Sequence, residues 1–198
     1  MATPSSSTQS AIRLCFDDDG DALLERDPFA LITGMLLDQQ MPMERAFLGP
    51  WRLAERLGSR ERLPMMTIAA YEPAEFTALM SRPPAVHRFP AAMAGRIQAL
   101  ARHIVVDYAG DTEAVWRTVP TGQALYERIL AMPGYGDQKS RILVALLGKQ
   151  FQVQPRGWRD AAAPYGDAGS TRSVADVVDA RTLAAVRRFK QEAKLARS

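Results

Sequence analysis

A glycine-rich turn in the middle of the chain has the composition of an anion-binding site. Pro133 ends one apolar, helical run, and Gly134 and Gly136 precede a second run that begins at about Asp137. Glycine lacks a Cβ atom and tolerates positive φ, so a ligand can come close to the backbone there. The amides at the start of the second helix would face the same place, and such amides bind phosphate groups. The alternative is a plain corner between two helices, in which the glycines only allow the turn.

A second segment, residues 27–40, begins at Asp27-Pro28 and continues as an apolar run that ends in Gln39-Gln40. Together the two segments resemble the HhH-GPD superfamily of base-excision DNA glycosylases. That family has an opening barrel helix ending in glutamine, followed at a similar separation by a helix-hairpin-helix with an apolar-Pro-Gly-apolar-Gly turn. The resemblance extends over residues 27–148 and implies an all-α fold.

The resemblance also implies a domain organisation. A six-helix barrel domain over residues 28–148 would contain the helix-hairpin-helix at 121–147. Residues 11–27 and 149–198 would form a second, discontinuous helical domain, and residues 1–10, which are polar and uniform, would be a disordered tail.

The function implied is that of a monofunctional DNA glycosylase of base-excision repair, which binds double-stranded DNA and hydrolyses the N-glycosidic bond of a damaged base. In the family the hairpin amides hold a DNA phosphate, and a glutamine such as Gln40 fills the gap left by a flipped-out base. Gln40 could equally be an exposed helix end, and the carboxylate of Asp137 would repel the phosphate. The positions carried over as DNA-binding are Gln40, Met132, Gly134, Tyr135, Gly136, Gln138 and Lys139.

The catalytic groups depart from the family pattern. Strand-cutting members carry a lysine where this chain has Gln138, so the resemblance implies no lyase activity. Lys139 follows about 100° further around the helix and is expected to point elsewhere. The family's catalytic aspartate would fall near residues 156–158, where no acid occurs, and Asp160 is the nearest candidate. Asp160 could instead be a first-turn acid of a helix, and a non-catalytic DNA-binding protein is the alternative function.

Aromatic side chains offer a further choice between function and packing. Each could face a flipped base, although core packing is the ordinary role of a large aromatic residue. The four candidates are Trp51, Tyr135, Trp158 and Tyr165.

Composition limits the cofactors and partners. Cys15 is the single cysteine, which excludes an internal disulfide and the four-cysteine iron–sulfur cluster of many family members. With only His87 and His103 besides, no zinc site is predicted. We therefore expect no cofactor and no metal, except that the resemblance leaves room for a monovalent cation at the hairpin carbonyls.

Charge and hydropathy indicate the compartment and the partner. The net charge is +3, and residues 181–198 carry six basic side chains against one acidic. Such a basic end favours a polyanion, although it could also be a solvated terminus. No apolar run is long enough to span a bilayer and the N-terminus lacks a signal core, so a cytoplasmic monomer is expected, associated with the nucleoid if the source is prokaryotic.

The apolar spacing predicts helices and no strands. Residues 11–24 are expected to form a short hairpin or an extended lead-in with a turn at 17–20. The predicted helices begin at Pro28, cover 44–57, 72–80, 90–109, 111–119, 121–132 and 137–147, and return at 173–178 and 182–196.

Overall fold

The computed structural model describes residues 12–196, and within that range the chain is helical and contains no β-strand. The predicted tail over residues 1–10 lies outside the described residues. The α-helices are α1 Asp18–Arg26, α2 Pro28–Leu37, α3 Met43–Arg56, α4 Met65–Ala70, α5 Pro73–Ser81, α6 Pro90–Asp107, α7 Gly122–Leu130, α8 Asp137–Gln150, α9 Trp158–Ala161 and α10 Ala180–Leu195. Two 3₁₀ helices cover Thr112–Val115 and Val174–Asp176. The all-α prediction is therefore confirmed.

Asp27 begins α2 as the sequence predicts. Its carboxylate accepts hydrogen bonds from the amides of Phe29 at 2.9 Å and Ala30 at 3.3 Å, and Pro28 occupies the first helical turn. The same carboxylate also accepts from the amide of Leu63 at 2.6 Å. Burial raises the pKa of Asp27 although these three amides oppose the rise. One side chain thus caps α2 and fixes the loop that precedes α4.

Helix α2 is the centre of the molecule. All its residues but Pro28 are buried, and it packs against α1, α3, α6 and α8. Helices α4 and α5 cover α6, while α7 and α8 form a helical hairpin joined by residues 131–136. The hairpin therefore meets the C-terminal end of α2, where Lys139 reaches the carbonyl of Leu36.

The N-terminal segment differs from the expected lead-in, because residues 18–26 form α1. Asp17 caps this helix by accepting from the amide of Gly20 at 2.9 Å, so Gly20 lies inside a helix rather than in a turn. Asp21 is fully buried, and its carboxylate accepts three backbone amides from residues 14–16. The acidic run is thus the start of a helix that also holds the segment before it.

Further departures from the prediction lie beyond residue 110. Helix α8 continues past Gly148 to Gln150. Glycine is required at 148 for packing rather than to end the helix, because a Cβ atom there would lie 2.4 Å from the Trp158 ring. Residues 158–161 form α9, which packs against α7 and α8, and Asp160 is a first-turn acid of this helix, as the alternative to a catalytic role predicts. The helices expected at 111–119 and 173–178 are only short 3₁₀ turns.

Helix α1 packs against α2 and α3, and the second 3₁₀ helix joins α8 to α10. Arg187 of α10 also forms an ion pair with Glu44 of α3. The division into a barrel and a second domain stays a prediction. Among the described residues, no helix combines the length and the apolar character needed to cross a membrane.

Candidate functional site

A cleft of about 1040 Å³ lies between the end of α2, the helical hairpin and α10. One wall is the segment after α2, with Asp38, Gln39, Gln40 and Met41. A second wall is the hairpin, with Gly134, Gly136, Asp137, Gln138, Lys139 and Ile142. The third wall consists of Pro164, Tyr165, Arg172, Phe189, Lys190, Ala193 and Lys194. The structure therefore brings together the two sequence segments that carry the family resemblance.

The glycine turn leaves open space above the start of α8. Gly134 has φ +84, and a Cβ atom there would lie 2.5 Å from Leu36. Gly136, by contrast, has no heavy atom within 4 Å of the position that a Cβ atom would take. No side chain among the described residues caps α8, so its first amides are available to a ligand in the cleft.

The two glycines predict opposite responses to alanine. Gly134→Ala is expected to cost about 2 kcal/mol of unfolding free energy, because it forces a Cβ atom into positive φ and into Leu36. Gly136→Ala, with open space around it, is expected to change stability by less than about 0.5 kcal/mol. Urea denaturation of both variants checks this, and equal stabilities would contradict the described turn.

Asp137 does not leave an uncompensated negative charge at this helix start. Its carboxylate accepts from the Tyr126 hydroxyl at 2.7 Å and from Arg141 Nε at 2.8 Å. These hydrogen bonds lower the pKa of Asp137, so it stays ionised, but Arg141 compensates its charge locally. The repulsion of an anion that the sequence predicts is therefore reduced.

Gln40 lies exposed at the cleft edge on a constrained piece of backbone. Its φ is +53, which is unusual for a residue other than glycine. His87 Nδ1 accepts from the Phe89 amide at 3.0 Å, which assigns the proton to Nε2, 3.0 Å from the carbonyl oxygen of Gln39. Burial lowers the pKa of His87, consistent with this neutral form.

Two arginines support the same segment. Arg88 donates to the Gln40 carbonyl at 3.3 Å, and Arg96 donates to the Gln39 side-chain oxygen at 3.0 Å. These hydrogen bonds hold the Gln40 carbonyl and the Gln39 side chain, so the backbone that carries the exposed Gln40 side chain is fixed. Positions in sparsely populated backbone conformations often belong to functional sites.

Lys139 lines the cleft, contrary to the expectation that it points elsewhere. Its Nζ atom donates to the Leu36 carbonyl at 2.8 Å, so the side chain runs along the hairpin toward the end of α2. Burial lowers the pKa of Lys139 to about 8, with Asp38 opposing the fall and Arg96 adding to it. Gln138 also faces the cleft and donates to the Tyr165 hydroxyl at 3.0 Å.

Three candidates from the sequence do not contribute side chains to the cleft. Met132 and Tyr135 are buried, and the Tyr135 hydroxyl donates to the Ile32 carbonyl at 2.6 Å, so only their main chains could contact a ligand. Asp160 is exposed in the first turn of α9 and does not line the cleft. Asp160 therefore lies outside the cleft that Gln40 and the hairpin turn line, although its helix packs against α7 and α8.

The aromatic candidates separate into three groups. Trp158 is buried between Gly122 and Gly148, both of which it approaches so closely that a Cβ atom would collide with it. Trp51 is partly buried and packs against the core. Tyr165 alone of the four named aromatic residues contributes to the cleft.

The sequence prediction assigned no role to Asp38, Arg172, Lys190 or Lys194, which also line the cleft. The signal for Asp38 was a carboxylate directly after an otherwise apolar helix. The residues of α10 gave only the general signal of a basic C-terminal stretch. Within residues 12–196, no three His, Cys, Asp or Glu side chains are grouped so that they could hold a metal ion.

The class of protein that this fold and cleft define is an all-α protein with a helical hairpin facing a basic cleft. No protein-family model, curated protein or solved structure matches the chain.

Proposed function

We propose that the cleft binds double-stranded DNA and that the protein is a DNA glycosylase resembling the HhH-GPD superfamily. The observation that carries the proposal is the meeting of three features in one cleft. These are the open glycine turn at the start of α8, the exposed Gln40, and the basic side chains of α10. Free amides and cations are the groups that contact DNA phosphates, and an extended glutamine can occupy the stack when a base leaves it.

The charges of the cleft favour a polyanion. Four basic side chains line it against two acidic ones, and Arg141 already pairs with Asp137, one of the two acids. The four are Lys139, Arg172, Lys190 and Lys194. The cleft volume of about 1040 Å³ also exceeds what one nucleobase needs, so a flipped nucleotide and part of its backbone would fit.

A salt titration of DNA binding tests the first half of the proposal. We expect the affinity for a duplex oligonucleotide to fall steeply with salt, because binding to phosphates releases counterions. In the Lys190→Gln/Lys194→Gln variant, the slope of log K against log salt should decrease by up to about 2, roughly 0.9 for each phosphate that the variant no longer neutralises. Fluorescence anisotropy at four or five salt concentrations measures both slopes.

The matched control is Arg60→Gln/Arg82→Gln, which removes two exposed positive charges outside the cleft lining. This variant should keep the wild-type slope. Equal retention of DNA and a neutral polymer by the wild type would contradict DNA binding, and equal slopes for the two double variants would contradict binding in this cleft.

A panel of duplexes tests the glycosylase half. Each duplex carries one deaminated, oxidised or alkylated base, and strand breaks are scored with and without alkali. Release from at least one duplex, with breaks that appear only after alkali, is the result expected of a monofunctional enzyme. Breaks without alkali would contradict the monofunctional assignment.

A non-catalytic DNA-binding protein is the second candidate function. The exposed position of Asp160 favours it, because the carboxylate nearest the family's catalytic position does not line the cleft. DNA binding without base release from any duplex of the panel is the result that would select this function.

A further inference from the structure

The cleft contains a carboxylate that the family resemblance does not assign. Asp38 directly follows the last residue of α2, and its amide donates to the Gly34 carbonyl at 3.1 Å. Its side chain is partly buried and lines the cleft. Within residues 12–196 the carboxylate makes no hydrogen bond and no ion pair within 4.0 Å, whereas the other cleft acid, Asp137, is held by Tyr126 and Arg141.

Neither oxygen of the Asp38 carboxylate is among the buried polar atoms that lack a partner, so both are accessible to a ligand in the cleft. Burial raises the pKa of Asp38, and the positive charges of Lys190 and Lys139 oppose that rise. Lys139 approaches from the hairpin, where it donates to the carbonyl of Leu36, two residues before Asp38. The two cations therefore reduce the rise in the pKa of Asp38 without cancelling it, and no direct bond occupies the carboxylate oxygens.

The backbone links Asp38 to the proposed base-replacing residue. Asp38 and Gln40 belong to one short segment after α2, in which Gln40 has positive φ and is exposed while Asp38 is partly buried. The contacts of His87, Arg88 and Arg96 fix this segment. A nucleotide whose place in the stack is taken by Gln40 would therefore be close to the Asp38 carboxylate.

We infer that Asp38 is the catalytic carboxylate of the cleft, acting at the sugar of the flipped nucleotide, with Lys139 as the neighbouring cation. The inference rests on the proposed glycosylase function. The bond between C1′ and the base nitrogen breaks and its electron pair leaves with the base. The ionised Asp38 stabilises the positive charge that develops on the sugar.

Water completes the reaction. Its oxygen bonds to C1′ while Asp38 accepts one of its protons, and the departing base gains a proton from solvent. The net change is the addition of one water molecule across the N-glycosidic bond, with Asp38 returned to its ionised form when it releases its proton. No metal or redox partner is required for this balance.

Base release by Asp38→Asn tests the inference in the full-length chain. The substitution preserves shape and removes the charge, and we expect the single-turnover rate of base release to fall at least about 100-fold on the duplex that the wild type processes best. DNA affinity should stay equal or increase, because a negative charge has left the cleft. Asp19→Asn is the matched control, since Asp19 is exposed on α1 and outside the cleft lining; it should keep the wild-type rate.

The pH profile separates catalysis from a structural role. In the wild type the rate of base release should fall at acidic pH as Asp38 becomes protonated. The charged groups that act on Asp38 are Lys139 of α8, Lys190 of α10 and Glu44 of α3. The residual rate of Asp38→Asn should lack this acidic decrease. A residual rate with the unchanged acidic decrease would overturn the inference.

The remaining outcomes distinguish the inference from the proposed function. Base release by Asp38→Asn within about tenfold of wild type would overturn the inference alone, as would a loss confined to Asp160→Asn. DNA binding by a wild type that releases no base would overturn the inference and select the non-catalytic function. Failure of the wild type to bind DNA would overturn both.

Discussion

Replacing Asp21 with alanine is expected to lower the free energy of unfolding by about 4 kcal/mol. The Asp21 carboxylate is fully buried, and it accepts the amides of Leu14 and Cys15 at 2.8 Å and that of Phe16 at 3.1 Å. Alanine leaves these donors without their acceptor, and a buried unsatisfied donor costs roughly 1–3 kcal/mol. For a chain of this length the melting temperature should fall by about 10 °C, measurable by circular dichroism.

Two further substitutions separate the acceptor role from the loss of charge. Asp21→Asn keeps one oxygen, which can retain the two bonds to Leu14 and Cys15, so about half of the loss is expected. Asp19→Ala removes an exposed acid from the same helical turn and should change stability by less than about 0.5 kcal/mol. Similar melting temperatures for Asp21→Ala and Asp19→Ala would show that the buried carboxylate does not hold the N-terminal segment.

Asp21 also explains why part of the fold could not be predicted. The helix α2 was predictable because its start depends on adjacent residues, a capping Asp27 and Pro28. The helix α1 was not, because a run of aspartates before Gly20 also favours a turn. The burial of Asp21 against the preceding segment distinguishes a helix from a turn here, and this tertiary contact leaves no periodic signal in the sequence.

Gly148 and Trp158 illustrate the same limit at the other end of the hairpin. A glycine after an apolar run predicts a helix end, but here it admits the Trp158 ring and the helix continues. The packing partner is ten residues away in a stretch rich in loop-forming residues. Local propensity cannot separate a helix-ending glycine from one required by a neighbouring side chain.

The sequence predicted which segments meet at the candidate site, but it did not predict which individual side chains line it. The two motifs that end in Gln40 and surround Gly134 share the cleft. Counting along the chain could not determine that Asp160 is exposed outside the cleft while Asp38 lines it. Nor does an angle of about 100° around a helix exclude a long side chain such as Lys139 from reaching the same cleft.

Two single substitutions of α8 lysines by methionine, Lys139→Met and Lys149→Met, are expected to change stability in opposite directions. Lys139 is partly buried, and burial lowers its pKa from 10.5 to about 8, so its charged form opposes folding at neutral pH. Lys139→Met removes this charge while the Leu36 carbonyl keeps the hydrogen bond from Gln39 Nε2 at 2.9 Å. We expect unfolding at pH 7 to require about 2 kcal/mol more, raising the melting temperature by about 5 °C.

Lys149→Met, ten residues later on the same helix, should instead lower stability by about 3 kcal/mol. Lys149 Nζ donates at 2.6 Å both to the Asp176 carboxylate and to the Tyr165 carbonyl, and the Asp176 side chain is only 4% exposed. Its loss leaves a buried carboxylate without its cation. Equal effects of the two substitutions would indicate that burial of Lys139 carries no energetic cost.

The pH dependence gives the sign of the Lys139 effect independently. Between about pH 8 and 10.5 the folded protein loses the Lys139 proton while the unfolded chain retains it, so stability contributed by this group rises with pH. The advantage of Lys139→Met should therefore be largest below pH 8 and decrease toward pH 10.5, as measured by urea denaturation across that range. A constant advantage would contradict the lowered pKa. If Lys139→Met is more stable but binds DNA more weakly, as the proposed function requires, the energetic cost of placing this cation in the cleft serves ligand binding rather than the fold.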